Sequence, residues 1–161
     1  MLSCFYTFGR GYQLASTLQY VHDVLLNRTY IHGTRYYPSP DCCLEFFSRL
    51  LHSSRHDAQL QETLGPLLKS RVKERVGKSG SALDLSMRVL ACSSLAIDCN
   101  VDCDTLLRLQ CQDGSWEIGW LYRYGSTGVR IGNRGVTTAL AVKAISSYWL
   151  TFTGQQQLNQ F

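Results

Sequence analysis

The feature that most constrains this chain is an apolar period of three and four residues, interrupted by clusters of glycine, proline and polar residues. That period puts the apolar side chains of a segment on one helical face, which must then be covered. Gln13 to Asn27 carries it in Leu14, Leu18, Val21 and Leu25, with Leu26 widening the stripe. The stretch RTYIHGTRYYPSP follows, where Gly33, Pro38 and Pro40 break any regular element. A second helix is expected from Ser39, with Pro40 at its first position and Asp41 in its first turn. Its stripe is Cys43, Leu44, Phe47, Leu50 and Leu51.

Three further segments repeat the pattern. A helix from about Asp57 to Val76 turns Leu60, Leu64, Leu67, Leu68 and Val72 inward, with Pro66 expected to kink or divide it. Gly77 and Gly80 close it. Ser81 to Ile97 is the next, facing inward through Leu83, Met87, Leu90, Ala91 and Ser94. Asp102 or Asp104 is then expected to cap a short helix carrying Leu106, Leu107 and Leu109. After a long loop from Cys111 to Arg134, a last helix from Gly135 to about Leu150 places Val136, Leu140, Val142 and Ile145 inward. GVRIG at 128–132 alternates too briefly to anchor a sheet. An all-α fold is expected over 1–154, with a frayed tail over 155–161.

Hydrophobic residues make up 45% of the chain, enough for a core, while charged residues are 17%, below the usual quarter. The surface is therefore expected to be unusually uncharged, or else part of it is covered by something else. The net charge of +4 is concentrated in KSRVKERVGK at 69–78, read as a solvated helix face with a basic last turn. No aromatic residues interleave with these charges, so nucleic acid is not an expected partner. No apolar run approaches the ~20 residues of a transmembrane helix. No signal-peptide pattern opens the chain, and a cytoplasmic location is the default expectation.

Seven cysteines, an odd number without a secretory signal, are expected as free thiols. His52 and His56 stand at i, i+4 on an expected helix, but nothing nearby completes a metal site, and no metal or other cofactor is expected.

LLRLQCQDGSWEIGWLY at 106–122 holds the most specific pattern. Gln110, Asp113, Gly114, Ser115 and Trp116 resemble the QW repeat of squalene and hopene cyclases, within the terpenoid cyclase and protein prenyltransferase superfamily. Its logic is structural: Asp-Gly makes a tight turn, the tryptophan lies back over a helix end, and the glutamine reaches unpaired backbone groups there. Small residues Ala139, Ala141 and Ala144 in the following helix, and SALDLSMRVLACSSL before the motif, are similar to the layered helices of that superfamily. The 34–51 segment also resembles fungal proteins placed with it. The resemblance implies helical hairpins forming part of an α/α toroid.

Complete catalytic motifs of those families are missing from the sequence. Where protonating cyclases carry the acids of D-x-D-D, this chain has Arg134, Val136 and Thr137. The diphosphate-ionising D-D-x-x-D and the prenyltransferase zinc ligands are also missing. Asp104, in VDCDT, is a candidate acid, with capping the expected role for it and Asp102. Tyr36, Tyr37, Trp120, Tyr122 and Tyr124 are candidate substrate-binding residues, because aromatic faces attract carbocations; the same rings also serve as core anchors. Tyr122 and Tyr124 are expected to point to different sides.

Two functional readings stay open. In one, the chain is a fragment of a terpenoid cyclase-like toroid that handles an isoprenoid or other hydrophobic small molecule, without activity alone. In the other, it is a non-catalytic helical-repeat module binding a protein or lipid. Either way, an open helical face is expected to promote self-association.

Overall fold

Ser39, Asp57 and Ser81 each open a helix in the computed structural model, which describes residues 2–158, with side chains through Phe152. The helices are α1 (Leu2–Thr7), α2 (Ala15–Leu26), α3 (Pro40–Ser53), α4 (Ala58–Lys73), α5 (Ala82–Ser94), α6 (Asn100–Arg108) and α7 (Arg134–Leu158). Short 3-10 turns occupy Gly11–Leu14 and Thr29–His32. Strands β1 (Trp120–Arg123) and β2 (Arg130–Gly132) pair antiparallel. The all-α expectation therefore holds, with this hairpin as the one sheet among the described residues.

The caps explain the starts. Ser39 Oγ accepts from the Cys42 amide, and Asp57 Oδ1 from the Leu60 amide at 3.0 Å. Ser81 and Asp84 form a reciprocal capping box at the head of α5. The heads of α3 and α5 are also joined directly: Ser39 Oγ donates to Asp84 Oδ1 at 2.5 Å.

α5 is the central element. Leu83, Leu85, Met87, Val89, Ala91 and Cys92 are all buried, so the helix is covered on several sides and not on one stripe. α3, α4, α6 and α7 pack around it, while α1 lies on α3 and α2 on α4. Ser86 is tolerated in this interior because its hydroxyl donates back to the Ala82 carbonyl at 2.6 Å. Ser94, expected inward, lies exposed at the end of α5.

α7 presents a different face from the one expected. Val136 and Val142 are 43% and 51% exposed, while Thr137, Ala141, Ala144 and Tyr148 are buried. Methyl side chains at 141 and 144 let α7 approach α5 closely, whereas a valine seam would hold the helices apart. Leu140 and Ile145, also expected inward, pack partly buried at the edge of the core. α7 continues beyond Leu150 to Leu158, and residues 159–161 of the expected tail lie outside the described residues.

Other local expectations also change. Pro66 sits inside α4 without dividing it, with Leu60, Leu64, Leu68 and Val72 buried on either side of it. His56 lies beyond the end of α3, so it does not share a helix with His52. Cys42, and not Cys43, is the fully buried cysteine of the pair. The 69–78 segment is not a uniformly solvated face. Arg71 is buried and donates to the Leu25 carbonyl at 2.9 Å, and Arg75 makes a double hydrogen bond to Asp41.

Neither Asp102 nor Asp104 is the capping residue of α6, whose N-cap is Cys99. Asp102 is buried and accepts from Arg88 Nη1 at 2.7 Å. Arg88, only 1% exposed, also grips both Asp41 oxygens at 3.1 and 2.9 Å and donates to the Lys78 carbonyl. The Gly77 amide completes the shell of Asp102. Four elements are thus tied by a buried charge network whose hydrogen bonds are largely satisfied. Burial alone would push the Asp41 carboxyl up, but hydrogen bonds and charges from Arg75 and Arg88 hold it below its ordinary value.

Candidate functional site

The 110–116 segment forms the turn that joins α6 to the hairpin. Gly114 adopts φ +81°, a conformation that L side chains rarely take. Asp113 Oδ1 accepts from the Ser115 amide and hydroxyl, and Gln110 Nε2 donates to the Gly114 carbonyl at 2.9 Å. Gln110 therefore closes the turn itself, not the helix end where its bond was expected. Trp116 takes the helix end: it is 2% exposed, and its Nε1 donates to the Leu106 carbonyl at 2.7 Å. Its backbone amide donates to Thr138 Oγ1, and the Gly119 amide to Thr137 Oγ1, so the first turns of α7 hold the chain leaving the turn.

Gly119 then passes so near α5 that an added Cβ would stand 2.2 Å from Leu83 Cβ. This contact seats the hairpin on α5 and positions its aromatic residues. The 35–37 segment joins the hairpin through the Arg123 amide, which donates to the Tyr36 carbonyl at 2.7 Å, and through Arg35, which donates to the Gly125 carbonyl.

Three of the five candidate aromatics are brought together. Tyr36 and Tyr122 stack at 5.8 Å, and Tyr37 meets Tyr122 edge-on at 5.7 Å and Phe46 at 5.4 Å. Trp120 lies apart, 40% exposed, with the Arg130 guanidinium 5.0 Å from its ring centre. Trp120 and Arg130 line a cleft of about 360 Å³ with Pro38, Ser39, Arg75 and Asp84, at the joined heads of α3 and α5. Tyr124 is 53% exposed at the mouth of the turn between the strands, where its amide and carbonyl bond to Val129 and Gly128. Tyr122 and Tyr124 do differ in exposure, because Tyr124 lies past the end of β1.

The acids of that cleft are Asp41 and Asp84, both engaged in ion pairs or caps. Asp104 accepts from Asn100 within α6 at 3.2 Å. Sequence reasoning missed Glu45, a buried carboxyl on α3 that lines a second cleft. Its i, i+4 spacing to Arg49 was visible, but the apolar stripe gave no sign that this pair turns inward.

What fold and site define together is a mainly helical unit with an aromatic hairpin seated on its central helix. The chain is 44% identical over 146 residues to drimenol cyclase of Aspergillus calidoustus, an alignment that covers 91% of this chain. The chain spans 28% of that relative's length. No protein-family profile matches the chain, and no solved structure matches it.

Proposed function

We propose that this chain is a helical unit of a terpenoid cyclase-like protein, and that it contributes to handling an isoprenoid or similarly hydrophobic substrate without completing a reaction alone. The observation that carries this reading is the 44% identity to drimenol cyclase across 91% of the chain. The QW-like turn at 110–116 supports this reading, since Trp116 is buried over the end of α6 and Gly114 takes the positive φ expected of an Asp-Gly turn. The Tyr36, Tyr37 and Tyr122 cluster, with Trp120 in the neighbouring cleft and Tyr124 at the turn, supplies the proposed aromatic contacts for a hydrophobic or cationic intermediate. The toroid architecture, a cytoplasmic location and self-association belong to the same proposal. Exposed Val136, Val142 and Leu150 on α7 favour a face that is covered in use, by another copy or another helical unit.

The test uses the chain with isoprenoid diphosphates and magnesium, and separately a long-chain tertiary amine that mimics a carbocation. The amine should quench tryptophan fluorescence saturably, less so in Trp120→Leu, while product analysis shows no turnover. Sustained cyclisation abolished by Asp104→Asn would make Asp104 the acid and overturn the reading of the chain as inactive alone. Amine binding unaffected by Trp120→Leu and Tyr122→Leu would remove the aromatic surface from the proposal.

A further inference from the structure

A cleft of about 520 Å³ lies where α3, α5 and α7 meet, within the size range of small-ligand pockets. α3 contributes Glu45, Ser48, Arg49 and His52, and α5 and α7 face them with Ser93 and Lys143. The Glu45 side chain is 4% exposed. Its Oε1 accepts from Arg49 Nε at 2.6 Å, while Oε2 is buried without a partner. Ser93 Oγ, in the same wall, is also buried and unpartnered. Two orphaned polar atoms lining one cleft are unusual, because a buried polar group without a hydrogen bond is costly.

The rest of the wall indicates what is missing. Ser48, Ser53, Ser94 and Thr151 all donate their hydroxyl protons to carbonyls of their own helices. Their remaining capacity is as acceptors, as is that of Glu45 Oε2 when the carboxyl is ionised. Arg49 and Lys143 line the same wall with N–H donors, so the cleft calls for a ligand that both donates and accepts hydrogen bonds. An ammonium ligand would meet Arg49 and Lys143, and an anion would meet the Glu45 carboxylate. Leu90 is the one apolar side chain among the described residues of the wall, and the carbon stems of the polar side chains around it suit the C–H faces of a compact ligand.

We infer that this cleft binds a neutral polyhydroxylated molecule of monosaccharide size, one hydroxyl donating to Glu45 Oε2 and another engaging Ser93 Oγ. Burial pushes the Glu45 carboxyl up, against the opposing hydrogen bond and charge of Arg49 and the charge of Lys143. A hydroxyl donated to Oε2 replaces hydration that the fold has removed. The inference is independent of the terpenoid reading, because it uses neither the hairpin nor its aromatics.

The experiment titrates the whole chain, with glutamate side chains labelled at the carboxyl carbon, with myo-inositol, inorganic phosphate and methylammonium. Myo-inositol should shift the Glu45 resonance saturably, and the two ions should not. Ligand-observed saturation transfer should then show roughly tenfold weaker binding in Glu45→Met and in Ser93→Ala, the loss expected for a hydrogen bond to a charged or buried group. Glu45→Met should also resist denaturant at least as well as the natural chain, because it removes a half-satisfied buried carboxyl while keeping volume. A saturable response to phosphate or methylammonium in place of myo-inositol would overturn the inference, as would no response to myo-inositol. Undiminished binding in either Glu45→Met or Ser93→Ala would also overturn it, and marked destabilisation of Glu45→Met without loss of binding would reduce Glu45 to an anchor for Arg49.

Discussion

Trp116 Nε1 donates to the Leu106 carbonyl oxygen at 2.7 Å, and that bond joins the end of α6 to the turn leading into the hairpin. The ring adds a second donor to a helix-end carbonyl that also accepts from the Leu109 amide at 3.2 Å, and it does so while 2% exposed. Trp116→Ala should cost roughly 3–5 kcal/mol in denaturant unfolding. Trp116→Phe should cost about 0.5–1.5 kcal/mol beyond any change in packing, because one hydrogen bond is lost while the Leu106 carbonyl keeps the Leu109 amide. A loss below about 1 kcal/mol for the alanine variant would mean that the ring does not hold the turn to the helix.

Arg88 is held by Asp41 and Asp102 on opposite sides, and all three are buried. Arg88→Met should destabilise the chain by about 3–5 kcal/mol, because two carboxylates lose a partner inside the protein. Replacing Arg88, Asp41 and Asp102 together by apolar residues of similar volume should recover much of that loss. If the triple variant is no more stable than Arg88→Met, the network is not the source of the effect.

Asp41 and Glu45 should affect stability in opposite directions with pH. The Asp41 carboxyl lies below its ordinary 3.8, so its stabilisation is present above that value and is lost as pH falls through the folded value. The Glu45 carboxyl lies above its ordinary 4.5, so its cost is absent in acid and develops as pH rises through 4.5 toward the folded value. Asp41→Asn should therefore be less stable than the natural chain near pH 7, and Glu45→Gln at least as stable. Both differences should shrink below about pH 4. Unfolding curves from pH 3 to 7 would check this, and a Glu45→Gln deficit that grows toward neutrality would reverse its assigned sign.

Tyr122 stacks on Tyr36 and meets Tyr37, whereas Tyr124 is exposed at the turn. Tyr122→Ala should cost about 2–4 kcal/mol, and Tyr124→Ala should stay within about 0.5 kcal/mol. Equal effects would mean that the aromatic cluster does not hold the 35–37 segment to the hairpin.

Gly119 leaves no room for a side chain above Leu83. Gly119→Ala should destabilise by about 1–3 kcal/mol through overpacking, and the smaller Leu83→Ala should partly rescue it. Chemical denaturation of the single and double variants gives the coupling, and strict additivity would show that the two sites do not touch.

What the sequence determined by itself was local. Ser39, Asp57 and Ser81 start helices because a cap needs only a side-chain oxygen and an amide two or three residues on. The turn at Asp113-Gly114 was legible for the same reason, since a positive φ and an Asp–Ser hydrogen bond lie within a few residues. Tertiary structure alone decided which residues of a helix face inward when two faces compete. Val136 and Val142 looked like α7's buried side, but the close approach to α5 favours Ala141 and Ala144, and that choice depends on the partner's shape. The charges were decided in the same way. Asp102 looked like a cap, yet Arg88 reaches it from α5, fourteen residues earlier in the chain, and Arg88 binds Asp41 from forty-seven residues earlier. A buried acid is recognised by its partners and its lost water, and neither is encoded in the spacing of its own helix.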